Sequence, residues 1–342
     1  MFSNPAAVAR PLLILSLPLS FVVALLIGSV SVDLTADWRS FFDPQSLSRS
    51  EAIIMQLRLP RALLAALVGA MLAISGAATQ GLFRNPLADP SLIGVTAGAS
   101  AGAALMIFVA GQTLWLNGSP SIWMVSLGAF AGGAATVALV YKLATSAQGT
   151  SVATMLLAGI AVTAIAGGLT NLVEFFASGD MLRRISLWRM GGLEGADFER
   201  TLLAAFSALI VLGSLPRFST ALNALLLGES EARHLGISVQ ATKMSIILIV
   251  ALGVGASVAL AGTIAFVGLI VPHIVRLLIG PNHQSLLPYS AIGGATLLLV
   301  ADTVARSVVA PIELPVGLVT AFLGAPFFIS LLRNHKRYIG AH

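Results

Sequence analysis

No cysteine occurs among the 342 residues, which excludes disulfides and thiolate metal sites. Charge is also scarce: Asp, Glu, Lys and Arg together make up 10% of the chain, against roughly 25% in soluble domains. Two motifs that would let a chain do chemistry alone are missing: there is no Gly-x-x-x-x-Gly-Lys-Ser/Thr phosphate loop and no His-Glu-x-x-His. The five histidines, His234, His273, His283, His335 and His342, have no ligand-like spacing, which argues against a metal site built by this chain.

What the chain does have is apolar length. Hydrophobic residues make up 57% of it. Segments of about 17 to 25 apolar residues, enough to cross a ~30 Å hydrocarbon core, recur from end to end and leave no room for a soluble domain. The reading is an all-α polytopic membrane protein, a single transmembrane domain over residues 1–342. Ten transmembrane helices are predicted, at about 12–31, 62–83, 91–111, 121–142, 151–174, 200–215, 243–261, 263–280, 286–305 and 315–332. The first is read as a span because it exceeds the apolar part of a signal peptide and no small-x-small cleavage site comes after it. The run from Met244 to Gly280 is too long for one crossing and is broken at Ala261-Gly262-Thr263, while the short sixth span borders Pro216. Ten spans put both termini on one side. Lys142, Lys243 and the tail Arg333-Asn334-His335-Lys336-Arg337 fall on that side, which predicts cytoplasmic termini.

The chain is organised around Arg58 to Ser100. Ala65, Ala66, Gly69, Ala70, Ala73, Gly76, Ala77, Ala78 and Gly81 give one helix the small side chains that let neighbouring backbones come close. Pro86 and Pro90 then enforce a corner, with Asp89 placed to cap the next helix. Gly76–Pro86 and Gly262–Pro272 form a weak internal repeat of opposite direction, and inverted repeats in transporters place the pathway near their interface. Three extramembrane stretches stand out. Residues 32–61 carry Trp38, Phe41 and Phe42 and are expected along the outer interface. Residues 175–199 are expected outside. Residues 216–242 are expected in the cytoplasm as helix-forming stretches punctuated by glycine, a candidate docking surface.

Glu174, Asp302 and Glu313 lie near predicted span ends and read as interfacial acids rather than proton relays. Arg58, Arg61 and Arg306 read from composition as snorkelling anchors, with contacts to an acidic partner as the alternative. An ion-coupled secondary transporter working alone is compatible with this composition; a purely structural subunit does not explain the ordered loop motifs.

Those motifs are Arg58-Leu59-Pro60-Arg61, Ser75-Gly76-Ala77, Asn85-Pro86-Leu87-Ala88-Asp89-Pro90, Leu227-Gly228-Glu229 through Leu235-Gly236, Gly268-Leu269-Ile270-Val271-Pro272-His273, Ala301-Asp302-Thr303-Val304-Ala305-Arg306 and Glu313-Leu314-Pro315-Val316-Gly317. In this order, from about residue 55 to 333, they resemble the FecCD family, permeases of bacterial ABC importers for iron-siderophores, haem and cobalamin. The resemblance implies the type II ABC importer permease fold, a homodimer in the bacterial cytoplasmic (inner) membrane with its pathway at the dimer interface, two cytoplasmic ATPases and an external substrate-binding protein. It implies no cofactor in this chain, ATP and Mg being held by the partner ATPase, and no nucleic-acid partner. By the same resemblance, Arg58, Arg61 and Arg306 dock the binding protein, which reverses the reading of these residues as anchors. Gly228, Glu229, Ala232, Arg233 and Gly236 couple to the ATPase, and Asn85, Leu87, Thr150 and Ser151 form the cytoplasmic gate. The stretch Gly81 to Pro90 looks most like the haem-uptake branch, which puts haem ahead of siderophores and cobalamin.

Overall fold

The computed structural model describes residues 5–30, 49–112, 121–147 and 149–339. The expected interfacial residues Trp38, Phe41 and Phe42 lie outside them. The described chain is helical almost throughout. α1 (Pro5–Leu26) is followed by α2 (Arg49–Ala52), which runs through a π-helical segment, Ile53–Arg58, into α3 (Leu59–Leu82). After a 3₁₀ turn at Pro90–Ile93 come α4 (Val95–Gln112) and α5 (Ile122–Ala144). A two-residue antiparallel ladder, β1 (Thr145–Ser146) with β2 (Gly149–Thr150), leads into α6 (Val152–Phe176) and α7 (Gly179–Arg189). The remainder is α8 (Phe198–Ser214), a 3₁₀ turn at Leu215–Phe218, α9 (Ser219–Leu227), α10 (Glu229–His234), α11 (Val239–Ala261), α12 (Val267–Ile279), α13 (His283–Ser307) and α14 (Val316–Ile339).

Among the described residues, eight helical stretches are long and apolar enough to cross a membrane. The eighth and tenth predicted spans correspond to shorter apolar helices, Val267–Ile279 and Val316–Ser330. The helix of Val267–Ile279 rises only about 20 Å at 1.5 Å per residue, so this part of the chain needs non-helical backbone at its start. That backbone is Gly262 to Phe266, and it lies against protein. Gly262 takes φ +67°, and a methyl there would overlap the Trp188 carbonyl. Gly192 N–H donates to the Ala261 carbonyl at 2.9 Å and Gly317 N–H to the Gly191 carbonyl at 3.2 Å. Three glycine-bearing segments, with Gly191, Gly262 and Gly317 buried, therefore satisfy one another, as irregular backbone at membrane depth requires.

α3 is the axle. It packs against α1, α8, α9, α11, α12 and α13, and from Val68 to Leu82 every residue is buried. Glycine sets its closest approaches: Gly69 faces Gly294 of α13 and Gly76 faces Gly268 of α12, so tightly that an added methyl at either position of α3 would overlap the partner's carbonyl. α4 and α5 repeat the device, with Gly98 and Gly102 against Gly132 and Gly128.

Two boundaries differ from expectation. The second span begins a dozen residues early, as one helix from Ser50 to Leu82, so Arg58 and Arg61 sit inside it rather than ahead of it. The π segment makes room for Pro60: Leu59 N–H donates to the Ile54 carbonyl five residues back, and the widened turn absorbs the proline ring. The sixth span continues through Pro216 to Leu227, because Pro216 falls in the first turn of the 3₁₀ segment, where its missing N–H costs little. The early part of residues 216–242 is therefore helix packed on α3 and α13, and the exposed turns begin at Gly228.

Candidate functional site

At the end of the bundle where α1 finishes and α3 starts, the three motif arginines converge. Asp302, 1% exposed, is the acceptor shared by Arg61 and Arg306. Arg61 Nε reaches both carboxylate oxygens, at 2.9 and 3.2 Å, and its Nη2 lies 2.9 Å from Oδ1. Arg306, one helical turn on from Asp302, places Nε 3.0 Å from Oδ2, an electrostatic approach rather than a well-directed hydrogen bond. Arg61 Nη1 also bonds Glu313 Oε2 at 2.6 Å.

The remaining donors are spent on the end of α1. Arg58 Nη1 donates to the carbonyls of Leu25 at 2.9 Å and Leu26 at 2.7 Å, its Nη2 donates to Val30, and Arg306 Nη2 donates to Ala24 at 3.0 Å. Carbonyls orphaned at a helix C-terminus are natural acceptors for cations. The sequence places Asp302 among interfacial acids; it is buried instead, paired with Arg61 of the distant α3 and with Arg306 one turn on in its own helix. The arginines are correspondingly inward, with Arg58 and Arg306 at 5% and 4% exposure. They nevertheless line, with Ser29, Leu57 and Glu313, a recess of about 110 Å³ at this end.

The expected gate and coupling residues gather at the opposite end. Asn85 comes just after α3, and its side chain accepts from Leu87 N–H at 2.9 Å, fixing an exposed corner in which both side chains face outward. Asp89 caps the next turn through Ser91 N–H at 2.8 Å, as its position before Pro90 predicts. Ser151 caps α6, its Oγ accepting from Thr154 N–H at 3.3 Å. Thr150 is buried and held on every side: its Oγ1 is 3.0 Å from Thr145 Oγ1, its N–H donates to Gln240 Oε1 at 2.9 Å, and its carbonyl accepts from Lys243 Nζ at 2.8 Å. The Asn85–Leu87 corner bonds within itself and back to α3, whereas the Thr150–Ser151 turn bonds to α5, α6 and α11.

α10 is a six-residue helix between Gly228 (φ +126°) and Gly236 (φ +82°). Both are conformations that side chains with a Cβ adopt poorly, and at both glycines there is open space. Ala232, on the inner face of α10, is fully buried, whereas Arg233 is exposed and bonds back to the Glu229 carbonyl at 3.2 Å. Glu229 pairs with Lys243 at 2.5 Å. Neither Gln240 nor Lys243 is a residue that the sequence marks for a site. Lys243 reads there as one more cytoplasmic charge, yet it is 2% exposed; the available signal was a Gln and a Lys three residues apart, on one face of the turn that opens an apolar run.

A cavity of about 330 Å³ lies between α3, the Pro90 turn, α11 and the broken entry to α12, lined mostly by apolar groups with Asp89, Ser91, Thr96 and Thr263. Of the internal repeat it is lined by the Gly262–Pro272 half, through Thr263, Ile264, Ala265, Phe266, Gly268 and Leu269. Among the described residues no three His, Asp or Glu side chains converge as a metal-ligand set.

Comparison with known proteins agrees with this architecture. The chain is 41% identical over 331 residues to the Hemin transport system permease protein HmuU of Yersinia pestis, covering 96% of this chain and 97% of that one. It is 43% identical over 291 residues to the Cobalamin import system permease protein BtuC of Halobacterium salinarum, covering 84% and 75%. A solved metal-chelate type ABC transporter in an inward-facing conformation superposes with a TM-score of 0.83 at 35% identity, over 94% of this chain and 97% of that one. The model of the FecCD transport family matches residues 14–334. A membrane bundle threaded on a small-residue α3, with the family's loop motifs gathered at its two ends, is thus accounted for: the chain belongs to the FecCD transport family, the permease subunits of ABC importers.

Proposed function

We propose that this permease works as a homodimer in the bacterial inner membrane, with both termini in the cytoplasm, and carries haem or a related iron chelate from a substrate-binding protein to the cytoplasm. The observation that carries haem is the near full-length 41% identity to the hemin permease. Cobalamin is the competing cargo, because a cobalamin permease is 43% identical over a shorter stretch. The chain has no phosphate loop of its own, so work has to enter from separate ATPases holding ATP and Mg, which bias the permease only by binding one of its conformations better than the other.

In this reading α10 and its flanking glycines, Gly228, Glu229, Ala232, Arg233 and Gly236, seat the ATPase, and Asn85, Leu87, Thr150 and Ser151 close the inner end of the pathway. The recess beside Arg58, Arg61 and Arg306 receives an acidic group of the binding protein. Its electrostatics support this: three arginines meet two carboxylates, Asp302 and Glu313. Of the two acids, Glu313 is the more exposed and the one an incoming carboxylate can replace at Arg61.

The test is uptake into proteoliposomes holding the permease, its ATPase and its binding protein, with haem, a ferric siderophore and cobalamin compared side by side. ATP-dependent haem accumulation that disappears without the binding protein is the expected result. Accumulation of cobalamin or siderophore in its place discards haem and keeps the importer.

A further inference from the structure

We propose that Lys243 and Gln240, on the first turns of α11, are the transmission residues that carry movement of α10 to the turn at the start of α6. The proposal rests on the coupling and gate roles given above to α10 and to Thr150–Ser151. It adds the connection between them, which those roles require and do not supply.

Both backbone polar groups of Thr150 are held by side chains of α11. Gln240 Oε1 takes its N–H at 2.9 Å and Lys243 Nζ donates to its carbonyl at 2.8 Å. The same ammonium bonds Glu229 Oε1 at 2.5 Å. One buried nitrogen therefore joins the first residue of α10 to the residue before the cap of α6. The turn is fitted to this grip: Gly149 takes φ +112°, and a methyl there would overlap the Gln240 amide. Ser151 N–H donates to the Ala144 carbonyl at 3.0 Å, so α5 and α6 leave the same junction.

The chemistry suits a link under load. A charged donor makes shorter, stronger hydrogen bonds than a neutral one. Lysine offers three donors on a single atom, so it can hold two acceptors from different segments at once. Buried at 2% exposure, the ammonium cannot exchange either partner for water without cost. α10 has few other attachments to α11: it packs more on α9, its own Ala232 is turned inward, and the glycines at both ends face open space, which lets the helix pivot. Displacing Glu229 then pulls on Lys243, and through it on the Thr150 carbonyl.

The absence of cysteine allows a single reporter, Ala153→Cys, on the exposed first turn of α6. The assembled permease–ATPase complex is reconstituted in nanodiscs, and the rate at which a water-soluble maleimide labels the reporter is read with and without ATP–vanadate trapping. In the otherwise unchanged chain trapping alters the rate about threefold or more, as a shifted two-state equilibrium does. Lys243→Met, which keeps the stem and removes the donor, abolishes that response, as does Gln240→Met; Gln240→Glu, which keeps the acceptor for Thr150 N–H, retains it. A merely structural tie would alter assembly or stability without cancelling the ATP response. If Lys243→Met does not assemble with the ATPase, the Gln240 pair decides.

A full response in Lys243→Met, or in Gln240→Met when that pair decides, overturns the transmission role. The underlying reading has its own controls. Glu231→Cys, on the exposed face of α10, cross-links to the ATPase if α10 is the coupling element, and the Ala153→Cys reporter in the unchanged chain responds to trapping if the turn is a gate. Failure of either control removes the coupling or gate role, and the proposal with it. Success of both, with the response surviving in the deciding variant, removes the proposal alone.

Discussion

At the scale of single residues, Asp302 has the largest consequences. It balances Arg61 and Arg306, whose side chains are only 12% and 5% exposed. Removing one partner of a buried charge cluster leaves the others uncompensated, typically at about 3–5 kcal/mol. Asp302→Ala should therefore lower the melting temperature of the purified permease sharply, whereas Glu313→Gln, at the more open pair, should cost about 1 kcal/mol or less. Equal effects in a thermal unfolding assay would contradict the cluster as described. Docking predicts a different readout. Arg58→Glu should weaken affinity for the binding protein about tenfold, a loss of about 1.4 kcal/mol, and unchanged affinity in a pull-down titration would remove the recess from the docking surface. The pairing across the bundle was not legible in the sequence. Arg61 and Asp302 are 241 positions apart, and an acid near a span end looks the same whether it meets headgroups or two arginines.

Elements were far more legible, and their errors have physical causes. The break at Ala261-Gly262-Thr263 was readable because a run too long for one crossing met a glycine, and α11 does end at Ala261 with Gly262 at positive φ. The small-residue face of α3 was likewise readable, since close helix contact in lipid selects for it. Pro216, which borders the predicted sixth span, lies at a tolerated position in a 3₁₀ turn, and Pro60 comes just after a π segment; both helices continue through their proline. The packing argument makes a quantitative contrast. Gly76→Leu must push α12 away from α3 at Gly268, and overpacking of this kind costs about 1–3 kcal/mol or more. Gly213→Ala in α8, where nothing lies within 4 Å, should instead be neutral or stabilising by up to about 1 kcal/mol through helix propensity. Urea or thermal unfolding of the two variants side by side in the same detergent checks the ordering.

For the molecule as a whole, the question is where the work of transport enters. A secondary transporter needs a carboxylate or similar group free to load and unload an ion within the membrane. The acids that the sequence offered for that task, Glu174, Asp302 and Glu313, each bond an arginine: Arg189, Arg61 with Arg306, and Arg61. A relay through any of them would have to break a pair before it could move a proton. The opposite end of the bundle carries the contrasting design, a short glycine-flanked helix connected inward by one buried lysine, which suits force applied from another protein. Proteoliposomes containing the permease alone should therefore accumulate no haem, siderophore or cobalamin when a proton or sodium gradient is imposed. Accumulation should begin only when the ATPase, the binding protein and ATP are all supplied. Gradient-driven uptake by the isolated permease would place the coupling inside this chain and require one of those arginine pairs to open during the cycle, a change that loss of gradient-driven uptake in Asp302→Asn or Glu174→Gln would then locate.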